Sequence, residues 1–302
     1  MGKVKRKMEE KIEYKNGVQI SFNNIKIFLD PIVSVKFSIV SHAHADHCPY
    51  LLIDKPIATE QTEKLIKVKD KNFSAINLEY NKKLKLDEVT IEFIDAKHIL
   101  GSSMILIENE KSILYTGDFR NTDFDEEVDI LIIESTYGKP EFIFPDIEEE
   151  IEKMIKWINS QTIYKKVEIG AYPIGKAQEI IKILNEYSLY PSVTKTIKKF
   201  NEVYENFGEK LIAEKNSDII VRPFYETLSN PLPNCAHCLV SGWGIINKFN
   251  FKTFIISDHL DFKGLVEFVE NVNPKIVYTY HGFSKEFAEY LNKKGIKAFS
   301  LI

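Results

Sequence analysis

Seven consecutive residues of this 302-residue chain, Ser41-His42-Ala43-His44-Ala45-Asp46-His47, place three imidazoles and a carboxylate directly behind the largely apolar run Phe37-Ser38-Ile39-Val40. Imidazole and carboxylate together suit zinc or another borderline first-row cation, and a total of three cysteines excludes a structural thiolate cage. In an extended segment residues two apart point the same way, so His42 and His44 can converge on one ion, while a turn after Ala45 aims Asp46 and His47 elsewhere. That spacing suits two metals side by side, with the small alanines letting the loop pack closely around them. Any one of these histidines alone reads as a surface residue in a polar turn; the H-x-H-x-D-H pattern behind a buried strand reverses that reading.

The elements that must position this loop are short. From Lys11 to about Glu134 the chain reads as β-runs: Val18–Phe22, Lys26–Leu29, Phe37–Val40, Thr90–Ile94, Ser103–Glu108, Ser112–Thr116 and Asp129–Ile133, with one helix at Thr59–Val68. After Gly138 the spacing turns helical: a capping Asp146 opens a helix to Gln161, followed by a strand at Lys166–Tyr172 and a helix at Lys176–Tyr187. The stretch ends in Cys235-Ala236-His237-Cys238, read as a packed turn before a strand Leu239–Trp243, because a zinc knuckle would need a second half. Strand and helix then alternate to the end: Phe251–Ile256, Phe262–Val272, Lys275–Tyr280, Ser284–Lys294 and Lys297–Leu301. This alternation implies a layered α/β fold, and the lack of repeats or a Gly/Ser linker makes the middle block an insertion.

Composition sets further bounds. Hydrophobic residues at 44% and charged residues at 28% exclude a disordered chain. Forty basic against 44 acidic residues give a net charge of −4, so a polyanion would have to be held locally. Lys195, Lys198 and Lys199, with Glu202, Glu205 and Glu209 nearby, read as a solvated face. A cytoplasmic protein with no membrane partner is expected, because Met1–Lys15 lacks the apolar core of a signal peptide, runs such as Ile130-Leu131-Ile132-Ile133 are far too short to span a bilayer, and the odd cysteine count suits a reducing compartment.

On these residues the chain resembles the metallo-β-lactamase-fold hydrolases, whose signature loop is the histidine hexad. Asp30 looks like the family's aspartate that supports that loop from behind, His98 like its next histidine ligand and Asp118, in Thr116-Gly117-Asp118, like its bridging carboxylate. Ile132-Ile133-Glu134-Ser135-Thr136-Tyr137-Gly138, Ser257-Asp258-His259 and Tyr280-His281-Gly282 are similar to three motifs of the β-CASP nucleases. Gly175-Lys176-Ala177-Gln178-Glu179 resembles their G-R-A-Q-E element, with lysine for arginine. Of the seven histidines only His237 falls outside these motifs.

The resemblance implies an α/β fold: a metallo-β-lactamase αββα sandwich of residues 1–138 and 251–302, with a short inserted α/β β-CASP cap domain at 139–250. It implies two Zn2+ ions, with Mn2+ as the alternative, one on His42, His44 and His98 and the other on Asp46, His47 and His281, bridged by Asp118. Catalytic roles are expected for Asp46, Glu134 and His259, with His259 as proton donor oriented by Glu134. Gly175, Lys176 and Ser257 are expected to bind substrate, Gly175-Lys176 by offering a helix N-terminus and a cation to phosphate.

The implied activity is a dinuclear phosphodiesterase on single-stranded nucleic acid, leaning to a DNA exonuclease of the ligase-associated type, with RNA processing of the 3′-end cleavage factor or RNase J type as the alternative. A homodimer is left open. A small-molecule hydrolase would not need residues 139–250 or the Glu134–His259 pair, and an inactive scaffold subunit would have lost ligands that are all present here.

Overall fold

The computed structural model describes residues 10–22 and 25–302; residues 1–9, part of the segment read for a signal peptide, and residues 23–24 lie outside it. A six-stranded sheet runs in the spatial order Lys11–Tyr14, Val18–Ser21, Lys26–Leu29, Ser38–Ile39, Ile57–Ala58, Ile76–Asn77. A seven-stranded sheet runs Ala298–Ser300, Ile276–Tyr280, Ile130–Glu134, Ser112–Tyr115, Ser103–Glu108, Val89–Asp95, Lys83–Leu86.

Why these segments are strands is written in their alternation. Ile105 and Ile107 join Ile20, Ile27, Leu29 and Ile39 in the core between the two sheets. Met104 and Leu106, one residue out of phase, pack with Leu265, Phe268 and Phe287 of the helices Phe262–Val272 and Ser284–Lys293. Ile130 and Ile132 against Leu131 and Ile133 repeat the division. A strand buried on both faces reads as an unbroken apolar run, which is how these segments stand in the sequence. Helix Glu60–Lys67, capped by Thr59, covers the other sheet through Leu65 and Ile66, completing the αββα layering.

A separate sheet of five parallel strands runs Ser192–Val193, Ile219–Pro223, Lys166–Ala171, Cys235–Val240, Lys252–Phe254. Helices Ile147–Thr162, Lys176–Glu186 and Lys195–Asn206 pack on it through Met154, Ile158, Ile180 and Phe200. Asp146 caps the first of these as expected, accepting the Glu149 N–H at 3.0 Å.

Two local expectations are corrected here. Cys235-Ala236-His237-Cys238 is strand rather than a turn before one: it pairs in parallel register with Lys166–Ile169, and the chain leaves the sheet at Ser241, whose Oγ accepts the Trp243 N–H at 3.3 Å in the turn Gly242–Ile245. The strand read as opening the return to the sandwich, Lys252–Phe254, pairs instead with Cys238–Val240, because Phe254 is buried with the helices of the parallel sheet. All three cysteines are free thiols, and no helix among the described residues is long and apolar enough to cross a membrane.

Candidate metal centre

The sandwich delivers its polar groups at the carboxyl ends of parallel strands. Ser38–Ile39 feeds His42, His44, Asp46 and His47; Ser112–Tyr115 feeds Asp118; Ile130–Glu134 ends on Glu134 itself; Ile276–Tyr280 feeds His281. His98 comes from the turn between Val89–Asp95 and Ser103–Glu108, and His259 from the segment between Lys252–Phe254 and helix Phe262–Val272. Five overlapping groups of possible ligands result, among them His42, His44, His98 and Asp118, and Asp46, His47 and His281, with ligand atoms mutually within 4.8 Å in each; the others are Asp30, His42 and His47, then His98, Asp258 and His259, and Asp118, Glu134 and His259. Asp118 faces both of the first two clusters, with Oδ2 3.5 Å from His42 Nε2 and 3.4 Å from His47 Nε2, and Oδ1 3.7 Å from His281 Nδ1.

Whether these residues fit cations is decided by their outer hydrogen bonds. Asp30, in a left-handed conformation at φ 46°, accepts from Ser41 N–H and Oγ at 2.6 Å each, from His47 Nδ1 at 2.7 Å and from the Tyr115 hydroxyl at 2.8 Å. Having donated to Asp30, Ser41 Oγ accepts from His42 Nδ1 at 3.0 Å. His44 Nε2 donates to the Ile174 carbonyl at 3.1 Å, and His98 Nδ1 to the Asp258 carbonyl at 2.9 Å. Each outward N–H leaves a bare lone pair on the inward nitrogen. Two such lone pairs, His44 Nδ1 and His98 Nε2, face each other at 3.1 Å, an arrangement that repels unless something positive joins them. His42 Nε2, Asp118 Oδ1 and His281 Nδ1 are buried with no hydrogen-bond partner. The donor set fits two divalent cations.

The titration behaviour follows from the same arrangement. Burial pulls His42 well below its ordinary value and His98 down to about 4, and lowers His44, keeping these three neutral. Burial also acts against charge on His47, yet Asp118 and Asp30 outweigh it and raise the imidazole to about 10, while burial of Asp118 is outweighed by His47, bringing the carboxyl down to about 2. Positive charge is therefore wanted between the clusters. The His281 imidazole, with Nε2 3.6 Å from Asp46 Oδ2, holds Asp46 far below the usual carboxylate range, and Asp46 raises His281 in turn.

Beside this centre, His259 Nδ1 donates to Glu134 Oε1 at 2.8 Å, and Glu134 Oε2 accepts the Thr136 N–H at 2.9 Å. Burial opposes charge on His259, but Glu134 prevails and raises it to about 9. Its Nε2 makes no hydrogen bond, with Asp258 Oδ1 at 3.9 Å. The cleft has a volume of about 530 Å³ and is walled by Tyr137, Tyr172, Tyr225 and Trp243 as well as by Asp46, Asp118, His259 and His281.

The structure gives Gly175, Lys176 and Ser257 work other than an open phosphate grip. Lys176 is 1% exposed and its ammonium is held by Glu179 Oε2 at 2.6 Å, with Asp258 Oδ1 at 3.7 Å. The Gly175 N–H is donated to Gln178 Oε1 at 2.8 Å and the Ala177 N–H to the Tyr172 carbonyl at 2.9 Å, so these first N–H groups of the helix are taken. Ser257 Oγ accepts the His259 N–H at 3.0 Å, and its carbonyl accepts from Arg120, which also pairs with Glu179 at 2.8 Å. These side chains lock the Ser257-Asp258-His259 segment onto helix Lys176–Glu186. Sequence reasoning missed Arg120 and Tyr115, whose partners lie far away in the chain, and gave no role to Ser41 although it opens the histidine motif. Asp258 had a signal, since it sits inside a motif already singled out.

His281 and Gly282 are both left-handed, at φ 60° and 51°, and a Cβ on Gly282 would overlap the backbone of Ser135 and Thr136. Gly282→Ala is therefore expected to destabilise the chain by about 2–4 kcal/mol, the sum of left-handed strain and overpacking against backbone. Urea unfolding checks it; an unchanged midpoint would show that the loop yields.

No family model matches the chain. It is 28% identical over 306 aligned positions to a protein of Opitutus terrae described as a probable DNA ligase, covering 91% of this chain and 29% of that one. It is 37% identical over 183 positions to the RNase J-like protein of Methanocaldococcus jannaschii, covering 49% of this chain and 43% of the other. The chain thus spans less than half the length of these curated relatives. Among solved structures, a protein of unknown function from Enterococcus faecalis matches with a TM-score of 0.70 at 14% identity, covering 92% of this chain and 95% of that one, a likeness of fold.

Proposed function

The chain belongs to the β-CASP group of metallo-β-lactamase-fold proteins, and from that premise we propose that it hydrolyses phosphodiester bonds of nucleic acid, working on DNA as an exonuclease at single-stranded ends. One observation carries the reading: Asp118 belongs to one inward-facing ligand cluster and comes within 3.4 Å of His47 and 3.7 Å of His281 in the other, in the cleft that also holds the His259–Glu134 pair. Residues 139–250, together with the strand Lys252–Phe254, are taken as the cap over that cleft.

His42, His44 and His98 would hold one cation and Asp46, His47 and His281 the other, with Asp118 between them; zinc suits this donor set best and manganese next. When bound, the cations supply Lewis acidity, which polarises the phosphate and makes water acidic enough to lose a proton near neutral pH. The remaining work falls to the chain. Asp30, Ser41 and the carbonyls of Ile174 and Asp258 hold the imidazoles in the tautomers that point lone pairs inward. Glu134, itself fixed by the Thr136 N–H, keeps His259 protonated, so that its Nε2–H can be given to the departing oxygen.

A DNA substrate is supported by the Opitutus relative, named as a ligase and aligned over nearly the whole of this chain. RNA is the second reading, favoured by the higher identity to the RNase J-like protein. Incubation of metal-loaded protein with end-labelled single-stranded DNA and RNA of one sequence tests both. A ladder from DNA is expected; a ladder from RNA alone would move the substrate, and no product from either would overturn the phosphodiesterase reading.

A further inference from the structure

We infer that the cleft seats one base of a single strand against an aromatic platform of Tyr172, Phe224 and Tyr225, with Lys69 taking a neighbouring phosphate; this rests on the nucleic-acid reading above. Tyr172 directly follows the strand Lys166–Ala171, and Phe224 and Tyr225 follow the adjacent strand Ile219–Pro223. The Phe224 ring is buried and lies flat on Tyr172, centroids 5.0 Å apart and planes within 10°. Tyr225 meets both edge-on, at 6.0 Å from Tyr172 and 5.4 Å from Phe224, and Phe249 supports Phe224 at 5.6 Å. The group is therefore rigid.

Its outer member is nevertheless bare. Tyr225 keeps 67% of its surface exposed while lining the cleft beside the ligand clusters and His259. An isolated exposed tyrosine needs no explanation. A tyrosine braced by two further rings, at the wall of a concavity that already contains a phosphodiester-cleaving constellation, presents what a nucleobase covers: a fixed π-surface, available at little entropic cost. Bases paired inside a duplex have no free face to offer, so the ligand is single-stranded.

Charge supports the same occupant. The cleft walls carry two lysines, Lys69 and Lys176. Lys176 is neutralised by Glu179 and Asp258. Lys69, exposed just beyond helix Glu60–Lys67, has no carboxylate partner among the described residues and lies over the Phe200 ring at 5.8 Å. It is thus the lining cation free to meet a phosphate, contributed by the sandwich while the aromatic rings come from the parallel sheet.

The test is fluorescence anisotropy of a labelled single-stranded DNA with the full chain in EDTA, where no cleavage intervenes, for wild type, Tyr225→Ala, Tyr225→Phe and Lys69→Met. Tyr225→Ala is expected to weaken binding about tenfold to a hundredfold, while Tyr225→Phe stays within about twofold of wild type. An abasic strand of equal length and charge should bind wild type as weakly as the normal strand binds Tyr225→Ala, and that variant should no longer tell the two strands apart. Lys69→Met should lower the salt dependence of binding by about one phosphate contact.

Undiminished binding by Tyr225→Ala, failure of Tyr225→Phe to restore it, or an unaltered preference over the abasic strand would overturn the platform. A wild type that shows the base preference yet cleaves no nucleic acid with metal present would support the platform and sink the nuclease reading alone.

Discussion

Asp118→Asn is expected to lower turnover on a single-stranded oligonucleotide by about a thousandfold or more, because the proposed Lewis-acid stabilisation of several kcal/mol would depend on cations that this carboxylate would help to hold, and about 4 kcal/mol is a thousandfold in rate. Asp118 is 4% exposed and is the carboxylate that reaches His42 and His47 through Oδ2 and His281 through Oδ1. Asparagine preserves the shape and removes the charge, so the fold should survive while metal content falls below two ions per chain. Elemental analysis of the purified variant, read beside its circular dichroism, checks this. A variant with two ions and full turnover would show that Asp118 does not link the clusters.

His259→Ala should behave differently. Losing a positioned proton donor costs about 10²–10⁴-fold in rate, but His259 uses Nδ1 on Glu134 rather than on the inward lone-pair set, so both ions should stay. The pH profile gives a second readout. A proton donor must be charged to act, so the wild-type rate should fall as pH rises through the His259 pKa, about 9 without cations and lower with them nearby. That alkaline limb should vanish in the variant. Loss of metal from His259→Ala would instead make His259 a ligand, in keeping with its position within reach of His98 and Asp118.

The residues proposed to hold metal could be read from the sequence because most of them follow strand ends in chain order: a strand that stops deep in the sandwich delivers its next residues to one rim. Glu134 and His281 were found for the same reason, their strands being adjacent and parallel, with Glu134 paired to Tyr280. The burial of Lys176 could not be read from the sequence, because its partners are Asp258, 82 positions away, and Glu179, whose role as a partner depends on the helix face it takes. The two-residue strands Ile57–Ala58 and Ile76–Asn77 have no sequence pattern of their own; neighbouring strands impose them. Likewise the Cys235–Val240 strand shows no turn residue at Cys235, and its start is set by pairing with Lys166. Long-range partners decided each of these points, and a single sequence does not contain them.

The most direct measurement is a count of ions: anomalous scattering from crystals of the chain soaked in zinc, with elemental analysis of the same preparation. Two adjacent peaks are expected, one among His42, His44 and His98 and one among Asp46, His47 and His281, with Asp118 reaching both. Density for no ion there, or for a single ion that leaves His281 and Asp46 unengaged, would contradict a dinuclear centre and with it the proposed hydrolysis.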